Sequence, residues 1–536
     1  MKDKDNKEAF GNLPDCVADY IRLVIKKMRW QRKACADVQA ELIGHFEDAL
    51  KDCKTDEERE KTAKKLIDNF GDAKLIAVLA RRAKKRCRPL WQKILIHSFQ
   101  ALVIVSIYLS ICGVYISSGK PNISVNYVEW LNTYVRQGRD ESLNIAPLLK
   151  KAAELSIDEP NWLKKSNASW PGDFNETQLH EFENWLAQNK QVLETLRKAL
   201  DKPYYWNIYD ANKSDFTNMQ VLASPMKELS NFRRLAKLVN WQIRYSAFKN
   251  NFEEATNKAI ELCDLGQRMQ GNGMLVEQLV GIAIESTGHS AISQMIDKTT
   301  PTTEQLERIQ NFLQQNYNDT VIDISGERAL VYDYIQRYFT DDGKGGGKPV
   351  RQGTGFAGKN TLQIIFNILT FNLPDKKEII EQIDNIYDTC QQGFQTANLE
   401  TMKEQLNKAL YNSPMLMKIV LPAFEKVGEL SWRVKTQRDG LITTLAILRY
   451  RQQTGKYPDS LDELLNKGFI NKMPYDVYRN GPLTYRKTNN NFILYSLGED
   501  LVDNGGKVIY NDKGQPRIWP QKDGDAVFWP VPHPVK

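Results

Sequence analysis

Histidine is scarce in this chain, and the five copies are scattered at 45, 97, 180, 289 and 533. Paired ligands of the HExxH kind are therefore excluded, and no GxSxG nucleophile elbow occurs. The seven cysteines form no CxxC and no CxxCH, which excludes a zinc ribbon and covalent haem attachment. Five of them lie before residue 113, and only Cys263 and Cys390 follow. Those two can pair as a disulfide in an oxidising compartment or remain two free buried thiols. Long apolar runs are also lacking, with one exception.

A charged content of 26% and a hydrophobic content of 41% exclude a wholly disordered chain, and 536 residues leave room for two or more domains. The net charge of +7 is concentrated at one end: residues 1–92 carry 22 Lys/Arg against 16 Asp/Glu. Beyond them the chain is close to neutral. This is no nucleic-acid signature, because the excess sits beside the one long apolar run. Residues 94–117, ILIHSFQALVIVSIYLSICGVYIS, hold no formal charge and are long enough to cross ~30 Å of hydrocarbon. His97 and Gln100 lie near one end, at interfacial depth. The run starts too far from Met1 for a cleaved signal peptide. Arg81, Arg82, Lys84, Lys85, Arg86, Arg88 and Lys93 crowd its N-terminal flank, whereas Lys120 stands alone beyond it until Arg136. The positive-inside rule then predicts residues 1–93 in the cytoplasm and residues 118–536 outside it, in the periplasm for a double-membrane bacterium. Sequons such as Asn122 and Asn167 matter only in a eukaryotic secretory route.

Residues 14–86 predict a small helical bundle. Val17, Ile21, Val24, Ile25 and Met28 recur at helical spacing. Thr55 and Glu58 form a capping-box pattern, Gly71 ends that helix, and Asp72 caps the next, AKLIAVLARRAKKR. The stretches ADVQAELIGHFEDAL and EREKTAKKLIDNFGDAKLIAVLARR resemble the HAAS-type domain of bacterial membrane proteins, with Glu41, His45 and Gly71-Asp72 at its recurrent positions. The resemblance implies a membrane-tethered signalling or protein-interaction module, often beside helical DNA-binding regulators. Apart from carboxylates, no second ligand stands near His45 at helix spacing, so His45 and Glu47 read as ordinary helix residues.

From about 120 to 430 the pattern is amphipathic helix, with predicted spans 178–201, 226–249, 252–271, 274–297, 302–316, 320–339, 375–396 and 399–411. Breaks at Asn250-Asn251, Gly271-Asn272-Gly273 and Pro301 favour helical hairpins. Residues 241–270 resemble one tetratricopeptide-type unit, with Ala247, Ala255 and Ala259 small enough for close packing. MLVEQLVGIAIESTGHSAISQMI follows as a largely apolar helix carrying His289, read as a core or surface histidine. A mobile Gly-rich loop is expected over 342–358. Within it GTGFAGKN, at 353–360, nearly fits the phosphate-binding GxxxxGK[ST] pattern, but Asn360 stands where a hydroxyl should meet Mg²⁺ and no apolar strand precedes it. No nucleotide is expected. Carboxylates such as Glu181 and Glu183 read as a solvated helix face.

Near residue 432 a second module is expected, changing from period 3.6 to period 2. DGLITTLAILRYRQQTGKYP predicts a helix with Leu441, Ile442, Leu445 and Leu448 on one face. DSLDELL predicts a short helix capped by Ser460 and Glu463. PLTYRK and NFILYSL predict a hairpin, and KVIY a third strand. This layout resembles the C-terminal half of the major pseudopilin of type II secretion. The matching residues are Arg449-Tyr450, Gly455, Tyr457-Pro458, Leu461, Leu464, Pro474, Asp476, Tyr485, Leu494-Tyr495-Ser496, Gly498, Asp500 and Gly505-Gly506. The N-terminus lacks the leader and start that prepilin peptidase cuts, so the resemblance implies a pseudopilin-like fold used outside the pseudopilus. It also implies calcium in the loop YSLGEDLVDNGG. Hard cations take six to eight oxygens. Asp500, Asp503, Asn504 and Asp525 are the candidate ligands, with Glu499 and Asp523 beside them; the competing reading is an acidic turn whose glycines supply positive φ.

The expectation is thus a mainly α protein: a cytoplasmic helical bundle over 1–93, a transmembrane helix over 94–117, a helical-hairpin ectodomain over 118–431 and a small α+β module with an antiparallel sheet over 432–536. Its expected work is non-enzymatic scaffolding or sensing, through contact with other envelope or cytoplasmic regulatory proteins. The alternatives are an envelope enzyme with a cleft among the ectodomain helices, and an accessory component of a secretion system.

Overall fold

Helices of the N-terminal segment form where apolar spacing and end signals place them. The computed structural model describes residues 10–29, 32–86, 90–117, 119–209, 220–271, 273–315, 322–348, 375–396, 401, 404, 408 and 422–535. The first helices are α1 (Asp15–Met28), α2 (Arg32–Ala49), α3 (Asp56–Phe70) and α4 (Ala73–Arg86). Val17, Ile21, Val24 and Met28 are buried, and Ile25 packs at the edge of the same core. Thr55 Oγ1 accepts the Glu58 N–H, as the pattern predicts. The Glu58 carboxylate reaches back one residue further than expected, to the Lys54 N–H. Gly71, at φ 78°, closes α3 by donating to the Ile67 carbonyl, and Asp72 accepts from the Lys74 N–H. Glu41 pairs with Lys84 at 2.7 Å, and the His45 ring packs edge-on against Phe70.

Helix α5 (Leu90–Ser117) follows. Its Ile94–Ile111 stretch has a mean hydropathy of 2.0, and none of its residues is buried among the described residues. At ~1.5 Å per residue the whole helix is about 42 Å long. It is the one helix among the described residues long and apolar enough to cross a membrane. Residues 1–113 and 114–536 pack as two separate units.

The second unit contains α6 (Tyr127–Arg136), α7 (Ala146–Leu155), α8 (Asn161–Lys165), α9 (Glu176–Gln188), α10 (Lys190–Leu200), α11 (Gln220–Phe248) and α12 (Phe252–Arg268). Then come α13 (Leu275–Lys298), α14 (Thr303–Gln315), α15 (Ser325–Tyr338), α16 (Lys376–Thr396), α17 (Pro422–Thr454) and α18 (Leu461–Asn466). The expected helix 178–201 is broken into α9 and α10 at Asn189. The fully buried Asn189 side chain accepts the Ile157 N–H at 2.9 Å and donates to the Trp185 carbonyl, so it stitches a break that hydropathy does not mark. The predicted helix 399–411, apart from single helical residues at 401, 404 and 408, lies outside the described residues, as do the 353–360 motif and most of the loop 342–358.

The core is organised by α13 and α17. Val280, Ile284 and Ile292 of α13 face one apolar cluster with α11, α12 and α14, while Leu275 and Ile282 face another with α15 and α16. α17 does the same along its length: Phe424, Val427 and Trp432 belong to the second cluster, and Leu441, Leu445 and Ala446 to the first. It runs unbroken through 431–432, where the sequence suggested a domain boundary. The C-terminal strands share its core, since Phe492, Leu494, Phe528 and Trp529 join the first cluster. The two sulfurs weighed as a disulfide lie in different clusters, Cys263 in the first and Cys390 in the second, and both are free thiols.

The expected hairpin is β3 (Thr484–Lys487) and β4 (Phe492–Ser496), with Thr484 opposite Tyr495. KVIY does not extend it. β5 (Ile509–Tyr510) pairs with β6 (Pro516–Arg517), and β1 (Tyr475–Asp476) with β2 (Gly481–Pro482). The third strand of the main sheet is β7 (Ala526–Trp529), antiparallel to β4. All four residues of β7 are buried, whereas Ile509 is half-covered and Tyr510 exposed, so burial selects β7 for the covered position.

α12 and α13 approach so closely that only glycine fits between them. A Cβ at Gly266 would sit 2.4 Å from the Glu285 backbone nitrogen, and one at Gly281 2.7 Å from the Gly266 carbonyl oxygen. Because both obstacles are backbone, the helices must separate to admit a methyl group. Gly266→Ala is expected to cost ~1–3 kcal/mol in denaturant unfolding of the full chain. Gly44→Ala, on α2 with no atom within 4 Å of the new Cβ, is expected to be neutral or to stabilise by up to ~1 kcal/mol. Equal effects of the two would contradict the packing role of Gly266.

Candidate functional site

The acidic loop of the C-terminal module is built around Asp525, just before β7. Its carboxylate is almost fully buried and accepts from three backbone N–H groups, those of Asn504 (3.3 Å), Gly506 (2.7 Å) and Lys507 (3.2 Å). Burial raises the Asp525 pKa, and these backbone donors oppose the shift. Asp503 Oδ1 accepts the Tyr495 O–H at 2.7 Å and the Gly505 N–H at 2.9 Å; the tyrosine bond, then the backbone bond, lower its pKa. Asp500 accepts from Val502 N–H and, through its other oxygen, from Asp523 N–H. Asn504 turns its side-chain NH₂ to the Val502 carbonyl. Gly498, Gly505 and Gly506 all adopt φ between 74° and 83°, which the acidic-turn reading required. The four candidate calcium ligands lie in one loop system; Asp500, Asp503 and Asp525 accept from donors of the chain itself, whereas Asn504 donates. Among the described residues no group of three or more His, Cys, Asp or Glu side chains is placed to hold a metal ion. As arranged, the carboxylates close turns.

This loop is bolted to α17. Glu499 pairs with Arg433 and, at 3.3 Å, with Lys426. Arg433 also pairs with Glu429, donates to the Tyr478 hydroxyl at 2.7 Å and lies over the Trp519 ring. Tyr478 passes its own O–H to Glu429. Nearby, buried Asp476 accepts from the Ser496 hydroxyl and the Leu497 N–H, fixing the exit of β4. Glu499 and Asp476 were quoted in sequence motifs, but nothing in those motifs pointed to Arg433.

The same helix carries a buried polar seam into the helical core. Gln437 accepts the Ser286 hydroxyl at 2.7 Å and donates to Ser290 Oγ at 3.1 Å. Arg438 faces Glu285 of α13, with Nη1 and Oε1 3.8 Å apart and both side chains almost fully buried. Glu285 also accepts from Gln267 (3.0 Å) and Gln270 (2.6 Å) of the α12 end. His289, one turn on, places Nε2 3.6 Å from Glu285, and its fully buried ring has no hydrogen-bond partner among the described residues. Burial pushes its pKa down to about 4, so the ring is neutral. Further along, Arg449 donates to Gln310 and pairs with Glu307 of α14.

A second buried carboxylate pair lies at the other end of α13. Glu277 accepts from Asn207 and from the Tyr209 hydroxyl, both at 2.9 Å. Glu327 of α15 accepts the Leu275 N–H, and burial pushes its pKa up to about 8. Sequence reasoning treated carboxylates as solvated and missed these. The usable signal was the α13 pattern itself: a helix apolar nearly all round is buried, so its charged residues are buried with it. A cleft of ≈ 230 Å³ lies between α14, α17 and residues 470–474, lined in part by Asp439, Thr443, Asn471 and Lys472. It is smaller than the ~300–1,000 Å³ usual for ligand sites. No protein family, curated protein or solved structure matches this chain.

Removing Arg438 strands a buried carboxylate. Arg438→Met is expected to destabilise the second unit by ~3–5 kcal/mol, and adding Glu285→Gln to restore much of that loss, in a double-mutant cycle read by denaturant unfolding. Simple additivity would break the proposed coupling. Asp525→Ala in the full chain is expected to cost ~2–3 kcal/mol and to expose the 498–507 loop to protease. A loss equal in calcium and in chelator assigns the carboxylate to the turn, and a loss confined to calcium assigns it to the ion.

Proposed function

We propose that this chain is a single-pass membrane protein of the bacterial inner membrane that works by protein contact, as a scaffold or sensor, with no chemistry of its own. The observation that carries this reading is α5, an apolar helix of membrane-spanning length with none of its Ile94–Ile111 residues buried among the described residues. Exposed to water, that surface would be strongly unfavourable, and a bilayer removes the penalty. The basic flank over 81–93 supports a cytoplasmic N-terminal bundle and a periplasmic ectodomain.

Two features support contact over catalysis. The buried Glu285 of α13 and Arg438 of α17 face each other across the two helices, so their charges are engaged in packing. The order of long helix, Gly455 exit, short helix and antiparallel hairpin is the one expected from the pseudopilin resemblance.

Protease added to spheroplasts is expected to digest the ectodomain and to spare residues 10–86; the reverse pattern would overturn the orientation. In the same cells, photo-crosslinking from exposed Leu23 and from exposed Ile208 is expected to yield discrete protein adducts, different on the two sides. Correct topology with no protein adduct on either side would sink the contact reading.

A further inference from the structure

α4 has two working faces, and the bundle uses only one. Ala73 and Ala77 are buried, with Ile76 and Ala80 packed beside them, against the core shared with α1. On the opposite side Leu75, Val78 and Leu79 are 58%, 41% and 50% exposed. Leu75, Val78, Leu79 and Arg82 are three, four and seven residues apart, so they form one continuous stripe. Arg82 is exposed, and the exposed Lys74 and Arg81 flank the stripe. From Ala73 to the end of α5 the sequence contains no acid at all. An apolar stripe edged by cations is the pattern of a helix lying in a membrane interface.

What covers this face is decided by the chain that follows. Three residues, 87–89, separate the end of α4 from the start of α5. Fully extended they reach roughly 11 Å. One helical turn then leads to Ile94, where the hydrocarbon-length stretch begins. If α5 enters a bilayer, the C-terminal end of α4 is tethered within the headgroup layer. Anionic headgroups complement the cations, whereas a second copy seated on the same face would bring Lys74, Arg81 and Arg82 against their own counterparts.

We propose that the Leu75–Val78–Leu79–Arg82 face of α4 docks on the anionic lipid surface of the leaflet that α5 enters, laying the N-terminal bundle on the membrane. Leu75, Val78 and Leu79 sit among the headgroups, and Arg82 with its basic neighbours pairs with lipid phosphates. Lipid composition thereby controls how much of the bundle surface remains open to cytoplasmic proteins. The inference rests on the reading that α5 spans the membrane.

The test is hydroxyl-radical footprinting of the full chain in nanodiscs, read by mass spectrometry. Labelling of Leu75, Val78 and Leu79 is expected to fall about fivefold or more in discs containing phosphatidylglycerol relative to pure phosphatidylcholine. It should recover in about 1 M salt, where screening shortens to ~3 Å. Leu79→Glu combined with Arg82→Glu should abolish the difference, and both side chains are exposed, so the bundle should stay folded. Protection of Ile94–Ile111 in every disc is the control for the span. If that stretch is labelled, the spanning reading fails. If it is protected while α4 labels equally in all discs, the docking proposal is overturned. Protection that persists in phosphatidylcholine and in high salt assigns the face to a second copy and also overturns it.

Discussion

The second unit depends on burying charge along α17 and on finding each charge a partner. Arg433, Arg438 and Arg449 recur along one helix, and each meets a carboxylate from a different part of the chain: Glu499 of the C-terminal loop, Glu285 of α13 and Glu307 of α14. Desolvating a guanidinium is costly, and the cost is recovered only where the geometry supplies an acid and hydrogen bonds. Apolar contacts alone tolerate sliding and repacking. The paired charges do not, so they set the register of α17 against α13, α14 and the sheet together.

That register explains why the α+β module is not a separate body. α17 passes from one apolar cluster to the other without a break, and the Gly440 position on it is filled by the Phe528 ring of β7. The acidic loop is held by backbone donors on Asp525 and by Glu499 reaching Arg433. Its carboxylates do the structural work that side-chain packing does elsewhere in the sheet.

The N-terminal unit obeys a different constraint. Its helices bury a modest core, and the Ile94–Ile111 stretch of the helix that ends it is strongly apolar with no buried residue among the described residues. Leaving such a stretch in water carries a hydrophobic cost that the core-forming helices of the bundle do not meet.

Local signals were legible in the sequence because their physics is local. Capping at Thr55, the left-handed Gly71, the α4–α5 apolar and basic pattern and the Thr484–Ser496 hairpin follow from spacing and backbone preference within a few residues. Several features were not legible, because they involve residues far apart in the chain. Asn189 splits a helix through a bond to Ile157, and β7 displaces KVIY because all four of its residues are buried. Cys263 and Cys390 stay apart because they enter different cores. Arg433 meets Glu499, and Arg438 meets Glu285, only after the helices have packed. Most helices, the apolar span and the Thr484–Ser496 hairpin follow from period and hydropathy, which are properties of short windows. Which charges are buried, and with whom, depends on every neighbour that closes over a side chain, so it emerges only once the helices have packed.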